Sequence, residues 1–358
     1  MQPVAKSSPA LLYSAQEGGQ NAKGCMPVTL KDVAEKAGVS RSAVSRTFTE
    51  GASVSAKTRR KVEKAAAELG YSPNALASSL TTGRTKLIGL VSNNFHNPFF
   101  LQVFDLFTRL LQERGLRPLL VNLTDQTDPE ATLQLLRQYS VDGVIVASST
   151  LSPEFALAFQ EARVPVVHSF GRIAASPRVN VVGIDNVDCG RMAARTLIAR
   201  GYQRVGFMGG PREATSTIDR RKGFNEVMSV TPGVIATESF ATAYSFDAGR
   251  AEMLDLLKKE PAEAYFCGDD VLSIGALSAI SDKGRRVPQD VGIIGLNDMD
   301  MARWENINLT TIRQPIRQII DSSVELVVAM LDKPERAPEG RFFACEIIER
   351  GTLRPVKS

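Results

Sequence analysis

The stretch VTLKDVAEKAGVSRSAVSRTF, residues 28–48, decides how the N-terminal part of this chain folds. Thr29 and Asp32 have the spacing of a capping box, so a short helix is predicted to begin there. Gly38 can adopt the positive φ of a tight turn, and Ser40 is placed to cap a second helix. The apolar face of the first helix is predicted to consist of Leu30, Val33, Ala34 and Ala37. These signals together predict a helix-turn-helix unit.

The outer face of the second helix is suited to DNA. Helical spacing leaves four polar side chains pointing outward: Arg41, Ser42, Ser45 and Arg46. An arginine can donate two hydrogen bonds to guanine in the major groove, and a serine can bond a base or a phosphate. Anchors on the DNA backbone are expected from groups near the helix starts, namely Ser40, Ser55, Lys57 and Thr58. A third helical pattern runs from Ala56 to Leu69, and we predict that this unit binds double-stranded DNA.

Positive charge is concentrated in the same region. Residues 29–86 contain eleven lysines and arginines against five aspartates and glutamates, a local net charge of +6, whereas the whole chain of 358 residues carries +4. The remaining residues therefore sum to −2. A basic module on a nearly neutral body is typical of a protein in which one part contacts phosphate.

The composition and the pattern of apolar residues differ on either side of this unit. Residues 1–26 are rich in Ser, Gly, Ala and Gln, which predicts a disordered extension. From Leu87 onward, short apolar runs such as LIGLVS, VDGVIVAS and VGIIGL alternate with helix-length segments, and there are too many runs for one sheet. The predicted fold is a small all-α helix-turn-helix headpiece followed by an α/β core of two doubly wound parallel-sheet lobes. A ligand crevice is expected at the carboxyl ends of the strands.

Composition and motifs argue against several other classes of protein. No run approaches the roughly 20 apolar residues of a membrane span, and the N-terminus lacks a secretory signal, so we expect a cytoplasmic protein without a membrane partner. The four cysteines are far apart and only two histidines are present, so neither a disulfide framework nor a metal site is expected. Nucleotide-binding glycine motifs and the G-x-S-x-G motif are absent. We therefore expect neither a cofactor nor enzymatic activity.

The opening stretch, the following VSAKTRRKVEKAAAELGYSPNALASSL, and the downstream HNPFF, VDGVIV and LTTIRQP together resemble the LacI/GalR repressor family. The similarity covers residues 28 to about 352. The resemblance implies a repressor that binds a palindromic DNA operator as a homodimer. It also implies a core shaped like a periplasmic sugar-binding protein, which binds a small, sugar-like effector between its two lobes.

The resemblance assigns roles residue by residue in the DNA-binding part. Arg41, Ser42 and Arg46 match residues that contact bases. Residues that hold or brace phosphates are matched by Thr29, Ser40, Ser45, Ser55 and Thr58. Pro73 to Thr81 matches a hinge helix whose DNA contacts would be Asn74, Ala77 and Leu80, with the leucine wedged into the minor groove.

The resemblance also divides the chain into domains. The headpiece would occupy 27–73 and the hinge helix with its linker 74–85. The N-lobe of the core would comprise 86–185 and 315–344, and the C-lobe 186–314 and 345–358.

Three sequence features predict the effector site. Phe99 and Phe100 follow the first core strand, Arg220 lies in DRRKGF, and Asn297 with Asp298 ends the strand VGIIGL. The resemblance matches these to ligand positions and adds Arg172, Ser216 and Tyr244. Aromatic faces can cover the apolar side of a sugar while Arg and amide or carboxylate groups bond its hydroxyls. Many relatives have a carboxylate where this chain has Asn297, which puts in question any ligand that needs a negative partner.

Two alternative readings of the core remain open. It could serve only for dimerisation, without any effector, or it could respond to a partner protein. Whether an effector would release DNA or promote its binding depends on which lobe arrangement the ligand prefers, and one sequence does not reveal that preference.

Overall fold

A computed structural model describes residues 28–49, 51–73, 79, 83–123, 128–172, 174 and 176–356. The chain divides into two compact units, one before residue 83 and one from residue 83 onward. The predicted extension at 1–26 and the predicted hinge contacts Asn74, Ala77 and Leu80 lie outside the described residues.

The first unit contains the helices α1 (Leu30–Ala37), α2 (Arg41–Thr47) and α3 (Ala56–Leu69). Thr29 and Asp32 form the predicted capping box, and Gly38 closes α1 with a φ of 64° in the left-handed region. The apolar faces pack into a small core around Val33, Ala34, Val44, Val62, Ala65 and Ala66. Leu30 and Ala37 pack against this core, so the predicted apolar face of α1 is confirmed.

The first lobe of the second unit is a parallel sheet covered by helices. Its strands are β1 (Leu87–Ser92), β2 (Arg117–Asn122), β3 (Gly143–Ala147), β4 (Val166–Ser169), β5 (Asn180–Ile184) and β11 (Gly340–Phe343). Their spatial order is β11-β5-β4-β3-β1-β2. The helices of this lobe are α4 (Pro98–Glu113), α5 (Pro129–Gln138), α6 (Pro153–Glu161) and α11 (Ile316–Asp332).

The second lobe repeats this architecture. Its strands are β6 (Arg204–Gly209), β7 (Ile235–Phe240), β8 (Ala264–Cys267), β9 (Gly292–Asn297), β10 (Thr311–Arg313) and β12 (Glu346–Ile348), in the spatial order β12-β10-β9-β8-β6-β7. Its helices are α7 (Asn186–Ala199), α8 (Thr215–Met228), α9 (Phe246–Leu256) and α10 (Asp270–Asp282), with a 3-10 turn at Asp300–Arg303. β12 runs antiparallel to β10, and the other pairs are parallel.

The chain passes between the lobes at 185, at 314–315 and at 344–345. Helix α11 belongs to the first lobe, where its Ser323 Oγ donates a hydrogen bond to Ser169 Oγ of β4 at 2.9 Å. Parallel strands with helices on both faces confirm the predicted fold class. The apolar runs of the sequence predict β1 to β6, β8 and β9. They do not predict β7, an edge strand that is largely exposed and carries polar residues, or the short strands β10, β11 and β12.

Candidate nucleic-acid interface and ligand cleft

The outer face of α2 carries the predicted DNA-reading side chains. Arg41, Ser42, Ser45 and Arg46 are exposed, whereas Val44 and Thr47 on the opposite side are buried. Arg46 Nε donates to the Ser42 carbonyl at 3.4 Å. The Arg41 side chain forms no hydrogen bond or ion pair with any residue that the structure describes, so its guanidinium is available to a base edge.

Hydroxyl groups cap the helices α1, α2 and α3. The Thr29 N–H donates to Asp32 Oδ2 at 2.8 Å and Thr29 Oγ1 donates to the same oxygen at 2.7 Å, and these two hydrogen bonds lower the pKa of Asp32. Ser40 Oγ accepts from the Ala43 N–H at 3.2 Å, and Ser55 Oγ accepts from the Thr58 N–H at the same distance. Each hydroxyl is exposed and keeps capacity for a further partner.

Two glutamates of this unit pair with lysines that are not among the predicted DNA contacts. Lys31 pairs with Glu35 at 3.6 Å, and Lys36 pairs with Glu68 at 2.8 Å. Lys57 is exposed and has no carboxylate partner among the described residues. The cations predicted for DNA are therefore not neutralised by neighbouring acids.

In the second unit, a cleft lies between the lobes at the carboxyl ends of their strands. This is where a doubly wound fold places its ligands. The cleft is lined by Asn94, Asn97, Phe99, Phe100, Ser149, Thr150, Phe170, Ile184, Asn186, Arg220, Tyr244, Asp269, Asn297 and Gln314. Five of the eight predicted effector residues line it, namely Phe99, Phe100, Arg220, Tyr244 and Asn297.

Aromatic rings form one wall of the cleft. Phe99 and Phe100 begin α4, and both contact Phe170 edge to face, with ring centroids 5.8 and 6.0 Å apart. From the second lobe, the Tyr244 hydroxyl lies 2.7 Å from Thr217 Oγ1. A Cβ at Gly210 would lie 2.4 Å from the Tyr244 ring, so the glycine-rich MGG turn makes room for this tyrosine.

The buried Arg220 is positioned by its own lobe. Its Nε donates to Asn186 Oδ1 at 2.8 Å, and its Nη1 donates to the Gly268 carbonyl. Asn297 ends β9 with a φ of 129°, and its Oδ1 accepts from Gln314 Nε2. A positive φ suits asparagine better than most residues, and it turns the chain at the rim of the cleft.

A second ionisable group, Asp269, lies between the lobes. Asp269 caps α10 by accepting from the Leu272 N–H at 2.9 Å, and Asn97 Nδ2 of the first lobe donates to its other oxygen at 2.8 Å. Burial raises the pKa of Asp269, while these hydrogen bonds and the nearby Arg220 act to lower it. The Asn97 contact joins the two lobes directly.

Three predicted effector residues do not line the cleft. The Arg172 guanidinium is held by the carboxylate of Asp219, with Nε 2.9 Å from Oδ2. Asp298 is held by Arg313 and Arg350, each at 2.6 Å, and so braces the chain after β9. The backbone N–H of Ser216 donates to the Ser149 carbonyl at 3.2 Å, which makes it an interlobe contact.

Other lining residues were missed at the level of sequence. Asp269 follows β8 in CGDD and Phe170 follows β4 in HSF, so the position after a strand was the available signal. Asn94, Asn97, Ser149 and Thr150 also follow strands, but such polar residues occur in many loops. Only the packing of the two lobes shows which of them reach the cleft.

Within the described ranges, no group of three or more His, Cys, Asp or Glu side chains is arranged to hold a metal ion. None of the helices seen in the described part of the chain combines the length and apolar character that crossing a bilayer requires.

Comparison with known proteins identifies both units. Residues 29–74 match the family described as bacterial regulatory proteins, lacI family, and residues 194–353 match a periplasmic binding protein-like domain. The HTH-type transcriptional regulator CelR of Thermobifida fusca is 33% identical over 297 residues, covering 80% of this chain and 87% of that protein. The repressor CytR of Escherichia coli K12 is 30% identical, covering 92% and 97%. The chain belongs to the LacI family.

Solved structures of related proteins support this family assignment. A lac repressor dimer bound to operator and the anti-inducer ONPF superposes with a TM-score of 0.81 at 27% identity, covering 92% of this chain and all of that one. A CelR–cellobiose complex superposes with a TM-score of 0.67 at 30% identity, covering 91% and 99%. The protein is a DNA-binding transcriptional regulator.

Proposed function

We propose that this LacI-family regulator is a repressor that binds a two-fold operator as a homodimer and whose operator affinity is controlled by a sugar-like effector. The observation that carries the proposal is the cleft, in which aromatic faces, amides and the buried Arg220 meet at the strand ends of both lobes. The bound cellobiose of the related CelR structure supports the same class of ligand. The cleft would bind without catalysing a reaction, and the protein would act in the cytoplasm, where its operator lies.

In the proposed headpiece, Arg41, Ser42 and Arg46 read base edges. Phosphates are held or braced by Thr29, Ser40, Ser45, Ser55, Lys57 and Thr58. The exposure of α2 and the absence of carboxylate partners for Arg41 and Lys57 within the described residues support these roles. Asn74, Ala77 and Leu80 stay predictions from the resemblance.

In the proposed effector site, the rings of Phe99, Phe100 and Tyr244 cover the apolar face of the sugar. Arg220, with Asn297, bonds its hydroxyls. The proposed domains are the headpiece at 27–73, the linker at 74–85, and two lobes. The chain passes between these lobes at 185, 314–315 and 344–345.

Calorimetry with a panel of neutral sugars, including cellobiose and ribose, tests the effector class. Operator affinity is then measured with and without the sugar that binds, using an operator selected from a random DNA library. Binding without any change in operator affinity would separate ligand binding from regulation. If no sugar binds while operator affinity remains high, the protein is controlled by a partner or is effector-independent.

Arg220→Ala tests the position of the site, with Arg221→Ala as a matched control. Arg221 is the next residue on α8, and its side chain pairs with Glu238 at 2.7 Å away from the cleft lining. We expect Arg220→Ala to weaken sugar binding about tenfold or more, because hydrogen bonds from a charged donor are lost, and Arg221→Ala to leave it unchanged. Equal affinities for both variants would place the effector elsewhere.

A further inference from the structure

We propose that Asp269 makes the cleft selective for an uncharged, polyhydroxylated ligand over phosphorylated or carboxylated derivatives of the same ligand. This inference rests on the proposed function of the cleft and specifies its ligand. Asp269 is not among the effector residues predicted from the sequence.

Burial raises the pKa of Asp269, but the hydrogen-bond partners of its carboxylate match the ionised form. The side chain is 3% exposed, and the contacts to its two oxygens come from N–H donors, on Leu272 at 2.9 Å and on Asn97 at 2.8 Å. An ionised carboxylate only accepts hydrogen bonds, so such a set of partners matches it. The positive charge of Arg220 nearby acts in the same direction.

The charges of the cleft balance without a ligand. Asp269 and Arg220 are the two side chains of acidic or basic residues among the fourteen described lining residues. Arg220 donates hydrogen bonds to Asn186 and to the Gly268 carbonyl, and it lies near the carboxyl group of Asp269. The positive charge of Arg220 is therefore balanced within the protein. An anionic ligand would bring a second negative charge beside a buried carboxylate, where screening by water is weak.

A neutral polyol meets no such penalty. Each oxygen of a carboxylate can accept more than one hydrogen bond, so Asp269 can receive sugar hydroxyls in addition to its present donors. The other polar lining groups are amides and hydroxyls, which pair with hydroxyls equally well. Asn297, at the end of β9, lies where many relatives have a carboxylate. In this chain the carboxyl group of the cleft is that of Asp269, which follows β8.

The first test compares neutral and anionic sugars on the wild-type protein by calorimetry. Its matched probes are glucose with glucose 6-phosphate and gluconate, ribose with ribose 5-phosphate, and cellobiose with cellobionate. We expect at least one neutral sugar to bind about tenfold or more tightly than its anionic partner. An anionic partner that binds as tightly as the neutral sugar would overturn the proposal.

The second test removes the charge with Asp269→Asn. Asparagine caps a helix as well as aspartate does, so α10 should keep its start. We expect weaker binding of the neutral sugar and a preference for neutral over anionic sugar that shrinks by about tenfold. Asp128→Asn, at the exposed cap of α5, should keep the wild-type preference. Asp269→Ser, which also caps, serves if circular dichroism shows that the asparagine variant is unfolded.

The possible failures are distinguishable. If Asp269→Asn folds, binds the sugar and keeps the wild-type preference, the role of Asp269 is wrong while the proposed effector class stands. If no sugar of the panel binds the wild-type protein, the effector class itself is wrong and this inference falls with it.

Discussion

At the scale of single residues, Arg41 and Lys57 are two exposed cations of the headpiece with different proposed partners. Arg41→Ala should cost about 1–3 kcal/mol at one base pair, because a bidentate contact to a base is lost. Lys57→Ala should weaken binding to every sequence alike and lower the salt dependence by about one phosphate contact. Fluorescence anisotropy with single-base operator variants at several salt concentrations measures both. Uniform losses for Arg41→Ala would remove it from base recognition.

The buried His168 links stability to pH. Burial lowers the pKa of His168 from 6.5 to about 4, and its Nε2 lies 3.1 Å from the Ser148 carbonyl while Nδ1 has no partner in the described structure. Between these two values the unfolded chain binds a proton that the folded chain excludes. Stability should therefore fall as the pH drops from about 6.5 to about 4, by up to about 3 kcal/mol.

His168→Gln should remove this part of the pH dependence, since a neutral amide can still donate to the Ser148 carbonyl. Burial raises the pKa of Asp270 to about 7, which acts in the opposite direction over the same pH range. The informative quantity is therefore the difference between wild type and variant in chemical denaturation at pH 7 and pH 5. The chain has one other histidine, the exposed His96, and His96→Gln is the control. A pH profile that is unchanged by His168→Gln contradicts the assignment.

At the scale of elements, the crossing of α7 and α8 positions the polar part of the cleft. A Cβ at Gly223 would lie 1.7 Å from the Val187 carbonyl oxygen, and one at Gly190 would lie 2.1 Å from the Arg220 carbonyl oxygen. Both contacts are with backbone, which cannot move aside without shifting a helix. The two glycines therefore allow the close approach that brings Arg220 to Asn186.

Gly223→Ala should force these helices apart and destabilise the protein by at least about 1–3 kcal/mol, the usual cost of overpacking. Sugar affinity should fall as well, because Arg220 moves with α8. Lys222→Ala, an exposed neighbour on the same helix, should change the stability little. Thermal unfolding followed by circular dichroism, with calorimetry for the sugar, compares the two variants. Equal melting temperatures for the two variants would show that α7 and α8 are not in close backbone contact at Gly223.

At the scale of the whole molecule, the second unit is closed by contacts between its lobes. Thr215 Oγ1 donates to the Ser149 carbonyl at 3.1 Å, Arg172 pairs with Asp219, and Asn97 bonds Asp269. A ligand that bonds both lobes would favour one arrangement of them. Such a preference is what a two-state regulator needs in order to respond to an effector.

The proposed homodimer should determine DNA affinity. One recognition helix contacts only a few base pairs, so a single half-site offers little binding energy. We expect a dimer in sedimentation velocity at micromolar concentration, and far tighter binding to an inverted repeat than to a single half-site. A monomer that binds both DNAs equally would contradict the proposal.

The sequence by itself determined the headpiece and the class of the core. Its signals there are local: a capping box, the glycine that ends α1, the spacing of apolar residues on α1, and apolar runs that alternate with helices. Each depends on residues a few positions apart, so it can be read without knowing the rest of the fold.

Only the tertiary structure decided which side chains share the cleft. Asn97 and Asp269 are 172 residues apart and meet because the strand ends of two lobes face each other. The same packing gives Arg172 a carboxylate partner and gives Asp298 two arginines, which keeps both out of the cleft lining. Such pairings depend on where distant backbone segments lie, and neither the spacing nor the chemistry of neighbouring residues encodes that.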